Sequence, residues 1–76
     1  MTQEQKIATI QSLSEVFNFI EDLADAEAKR LKLYIQARGF VDEEEPIILK
    51  SEQKVQELRQ HAEKIQRVMD LLLDEQ

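Results

Sequence analysis

Arg30, Tyr34 and Arg38 stand four residues apart in a stretch with helical spacing, so they line up along one flank of a helix. Two guanidinium groups around the chain's only tyrosine are groups that can hold a phosphate and stack a base. They form the candidate ligand site, suited to a small anionic ligand such as a nucleotide. A structural role competes for the same residues. In it, Arg30 and Arg38 pair with acids of another helix or of a loop, and Tyr34 packs at an interface. Lys29 and Lys32 lie across the helix and do not join the stripe.

The second candidate is an acidic run, Asp42, Glu43, Glu44 and Glu45, followed by Pro46. Four like charges repel one another and stay solvated, which suits docking onto a partner protein with a basic surface. Other constellations do not reach chemistry. Glu15, Glu21, Asp22 and Asp25 sit at positions f, e, f and b of a heptad, on the solvent side, whereas magnesium needs carboxylates converging in a cleft. Glu27 alone among these acids reaches the apolar seam, with Arg30 or a neighbouring subunit as its expected partner. The single histidine, His61, has Glu57 four residues before it and no second metal-ligand pair. Ser12, Ser14 and Ser51 lack the company of a triad, and one glycine cannot build a phosphate loop. No catalytic residue, metal or cofactor is assigned, and an enzyme is not expected.

The elements that carry these residues are legible from spacing. Ile7, Ile10, Leu13, Phe17, Ile20, Ala24, Ala28, Leu31 and Ile35 are separated by threes and fours only, which is one face of a continuous helix. The heptad slips at Glu27 and Ala28, where supercoiling should relax. Thr2 and Gln5 fit a capping box at the start, and Gly39 with Phe40 fits a Schellman ending. A second series, Val55, Leu58, Ala62, Ile65, Met69 and Leu72, alternates threes and fours in the same way. The only glycine and the only proline, Gly39 and Pro46, both fall between the two series. The expected order is therefore a helix over about 3–38, an acidic loop over 39–50 and a helix over about 51–75, as one domain spanning 1–76. Ser51 is the preferred N-cap of the second helix, with a start at Pro46 as the alternative. Ile47, Ile48 and Leu49 are expected to fold back over the hairpin end.

Near its end the second helix is apolar nearly all round, through Val68, Leu71, Leu72 and Leu73. One antiparallel neighbour cannot cover them together, so they are the expected oligomer interface. Two helices enclose no interior, and 76 residues without cysteine have no disulfide to compensate. The fold class is all-α: an antiparallel helical hairpin that assembles into a homo-oligomeric bundle, most simply a dimeric four-helix bundle.

The formal charge of −6, from 16 acidic and 10 basic residues, argues against direct nucleic-acid binding. No apolar run approaches a membrane span or a signal segment, and a cytoplasmic location is the expectation. The function expected is a small acidic interaction or regulatory protein, an inhibitor or adaptor, that assembles with itself and binds a partner protein. Sequestration of a small anionic ligand and a purely structural coiled coil are the alternatives.

Overall fold

In a computed structural model the described residues form two helices, α1 (Gln3–Arg38) and α2 (Pro46–Asp74), packed against each other. The structure describes residues 1–39 and 45–74. Glu27 of α1 meets Ser51 near the start of α2, and Asp25 meets Arg59 further along it, so the helices run antiparallel.

The capping box at the start of α1 is present. The Thr2 hydroxyl accepts from the Gln5 N–H at 3.1 Å, and the Gln5 side chain accepts from the Thr2 N–H at 2.9 Å. Two N–H groups that the first turn cannot satisfy internally are thereby satisfied. At the other end Gly39 adopts φ 80°, ψ 0°, and its N–H donates to the Ile35 carbonyl at 3.0 Å. This left-handed conformation closes the helix without the steric cost a Cβ would bring. The expected apolar contact from Phe40 lies outside the described residues, as does an extension of α2 to residue 75.

α2 begins at Pro46, and Ser51 is not its N-cap. Proline fits the first helical position because the N–H it lacks would have no partner there. The Leu49 N–H donates to the Glu45 carbonyl at 3.0 Å and closes the first turn. The earlier start extends the three–four series backwards through Ser51 and Ile48. The expectation that Ile47, Ile48 and Leu49 together cover the hairpin end also needs correction. Ile48 turns into the seam, while Ile47 and Leu49 face out on either side of it. At 29 residues against 36, α2 is about a fifth shorter than α1.

The seam is apolar but thin. Among the described residues, the buried apolar side chains are Ala24, Ile48, Ala62 and Met69. Ile10, Leu13, Phe17, Ile20, Leu31, Val55, Leu58, Ile65 and Leu72 are only half-buried, and Ile7 is exposed. The hairpin measures 55 × 17 × 13 Å, so it is little more than one helix thick. Its radius of gyration is 17.0 Å, where a compact domain of this length has roughly 11 Å. Neither described helix is long and apolar enough to cross a membrane.

Candidate functional site

The hairpin end carries two side-chain clusters, and the residues of the sequence-derived stripe divide between them. The first joins α1 to the residue before α2. Arg38 pairs with the Glu45 carboxylate, and the Tyr34 hydroxyl donates to the other oxygen of that carboxylate. Arg38 also donates to the Tyr34 hydroxyl at 3.2 Å, with its guanidinium 5.8 Å from the ring centroid. All three side chains are partly withdrawn from water, which strengthens a charge-assisted pair relative to an exposed one. This cluster clamps the start of α2 against the last turns of α1.

The clamp changes two assignments. Arg38 is directed at Glu45 and does not line a pocket with Arg30, so the proposed three-residue ligand stripe is split. The structural alternative, with Arg38 pairing to an acid of the loop, matches its geometry. Glu45 likewise presents no free carboxylate for a partner, because both of its oxygens are engaged within the chain. Asp42, Glu43 and Glu44 lie outside the described residues.

The second cluster is centred on Glu27, the one acid at a seam position. The Ser51 hydroxyl donates to it at 2.6 Å, Arg30 lies 3.6 Å away and Lys54 lies 3.7 Å away. The hydrogen bond from Ser51 holds the Glu27 carboxyl below its ordinary value. Partial burial opposes that shift, and the charges of Lys54 and Arg30 assist it. Glu27 thus finds its partners within its own chain, two of them on α2. A polar pair in an apolar seam fixes register. Sliding α2 by one turn would leave the carboxylate facing apolar side chains without its donor.

Between the helices at this cluster lies a pocket of about 340 Å³. Glu27, Arg30, Leu31 and Tyr34 line it from α1, and Ile47, Lys50, Ser51 and Lys54 line it from α2. Three cations and one acid surround it, with an apolar floor from Leu31 and Ile47. It gathers Arg30 and Tyr34 of the expected site and replaces Arg38 with Lys50 and Lys54. Lys50 falls within the expected loop over 39–50, and Lys54, although in the expected second helix, lies off its apolar series, so spacing alone marks neither. Once α2 starts at Pro46, Ile47, Lys50, Ser51 and Lys54 fall at helical spacing on one side. Arg30 itself is 77% exposed, so its attraction to Glu27 is weakened by water.

At the far end of the hairpin, Val68, Leu71 and Leu73 are exposed and Leu72 is half-buried. Two further ion pairs among the described residues are surface contacts, Arg59 with Asp25 at 3.9 Å and Arg67 with Glu63 at 2.7 Å. Among the described residues, no three His, Asp or Glu side chains gather as a metal-binding group. Comparison with protein-family models, with curated proteins and with solved structures finds no match to this chain.

Proposed function

We propose that this chain is a helical interaction protein that works as a homo-oligomeric bundle, most simply a dimer of hairpins. The observation that carries the proposal is the imbalance between covered and uncovered apolar surface. Of the large apolar side chains among the described residues, Ile48 and Met69 are buried, whereas Phe19 is 63% exposed and Leu71 is 68% exposed. A single-layer hairpin recovers too little hydrophobic free energy to offset the ordering of its chain, and a second layer encloses the same side chains. Val68, Leu71, Leu72 and Leu73 belong to the surface such a layer covers.

The chain as a whole is acidic, with a net charge of −6, and is suited to a partner protein carrying a basic patch. Asp42, Glu43 and Glu44 remain the proposed docking charges, without Glu45. Unchanged partner recovery by a variant with all three charges reversed would count against that role. The assembly is tested by the protein-concentration dependence of thermal unfolding. An obligate bundle gains stability with concentration, and a midpoint constant over a hundredfold range contradicts it.

A second reading is favoured by the pocket at the hairpin end. Arg30, Lys50 and Lys54 around an apolar and aromatic floor suit a small anion with a flat body, such as a nucleotide. Nucleotide-dependent thermal stabilisation that Arg30→Ala abolishes supports it, and no shift with any nucleotide removes it.

A further inference from the structure

A second apolar stripe runs along α1, apart from the seam. Val16, Phe19, Leu23 and Leu33 recur at three, four and ten residues, and all four are exposed. The stripe can be placed relative to α2 by spacing. Val16, Leu23 and Arg30 are seven residues apart, as are Ile47, Lys54, His61 and Val68, and seven residues bring a helix back to nearly the same side. Arg30 lines one pocket together with Ile47 and Lys54. Val16 and Leu23 on α1 therefore lie along the same face of the hairpin as Val68 on α2.

We infer that a second copy of this chain docks on that face, the two α1 helices crossing antiparallel near Phe19 and Leu23. The inference rests on the bundle proposed above and specifies its interface. Charge selects both the occupant and the direction. Up to residue 22, α1 carries the acids Glu4, Glu15, Glu21 and Asp22 against Lys6 alone; from residue 23 it carries Lys29, Arg30 and Lys32 against Asp25 and Glu27, with Arg38 already paired to Glu45. An antiparallel copy sets each acidic half beside a basic half, whereas a parallel copy sets like beside like. The face is also large enough. A 55 × 17 Å side is on the order of 900 Å², and a stable complex buries about 800 Å² on each partner. A twofold axis between Phe19 and Leu23 makes the contact isologous, so it closes at two copies.

The chain contains no cysteine, so single-cysteine variants of the full chain report the interface directly. Under mild thiol oxidation, Phe19→Cys and Leu23→Cys are expected to link to their own copy on the order of tenfold faster than Asn18→Cys, which points away from the face. Leu33→Cys is expected not to link. It lies about 12 residues from the axis, which separates the two copies of this position by roughly 36 Å. An assembled protein whose Phe19→Cys and Leu23→Cys variants link no faster than Asn18→Cys overturns the inference and leaves the bundle standing. So does rapid linking at Leu33→Cys, which indicates parallel packing. A wild-type chain that stays monomeric at micromolar concentration overturns both.

Discussion

Ile48→Ala tests the start of α2 and the composition of the seam together. Ile48 is 1% exposed, in the first turn of a helix that begins at Pro46. Burying an isoleucine side chain is worth about 1.5–3 kcal/mol relative to leaving it in water. Truncation to alanine loses most of that and adds the cost of a cavity, giving a usual range of about 2–5 kcal/mol. The hairpin is only 13 Å thick, so neighbours can close over the gap, and the lower part of that range applies. The expected cost is about 2–3 kcal/mol, or roughly 30- to 150-fold in the folding equilibrium. Leu49→Ala is the control, with a similar loss of carbon atoms one position along. Leu49 is already 50% exposed, and its truncation should cost about 1 kcal/mol or less. Both are read by urea unfolding followed through the helical circular-dichroism signal, at one fixed protein concentration because assembly shifts the midpoint. Equal costs, or a larger cost at Leu49, would refute the placement of Ile48 in the seam.

Further outcomes follow from the caps and clusters. Gly39→Ala meets no steric obstacle to its Cβ, so its cost is that of the φ 80° backbone alone, about 1 kcal/mol by urea unfolding. Tyr34→Phe keeps the ring under Arg38 and deletes the hydroxyl that donates to Glu45, for a loss of about 1 kcal/mol on the same assay. Glu27 has a lowered carboxyl pKa in the folded chain, so its contribution is fully present above the ordinary glutamate value of about 4.3 and is lost as pH falls through the folded value. The wild type should therefore lose stability relative to Glu27→Gln as pH falls from about 5 towards 3. A difference independent of pH there would contradict the Ser51 hydrogen bond to a carboxylate.

The helices themselves were legible because nothing interrupts the three–four spacing, and the Thr2–Gln5 and Gly39 signals sit where that spacing begins and ends. The start of α2 was harder. Ser51 is a good capping residue, and its hydroxyl is used, but by Glu27 across the seam and not by its own backbone. Glu27 and Ser51 are each the polar residue in an otherwise apolar series, and pairing the two exceptions would have revealed both the register and the longer helix. The stripe of Arg30, Tyr34 and Arg38 is a property of one helix alone. Helical spacing shows which side chains share a flank, but it carries no information about Glu45, which takes Arg38 and the Tyr34 hydroxyl. Val16, Phe19 and Leu23 carry no signal in the spacing of the seam for a related reason. A heptad assigned to the seam places them outside it, and their meaning emerges only when the face they share with α2 is seen to be uncovered.

The mass of the native chain in solution decides whether the hairpin has a second layer. Sedimentation equilibrium at micromolar concentration is expected to give about twice the 8.9 kDa chain mass, falling to the single-chain value in Phe19→Glu. A well-folded wild type that sediments at 8.9 kDa across the accessible concentration range would contradict the proposed bundle, because the exposed apolar face would then have no second layer.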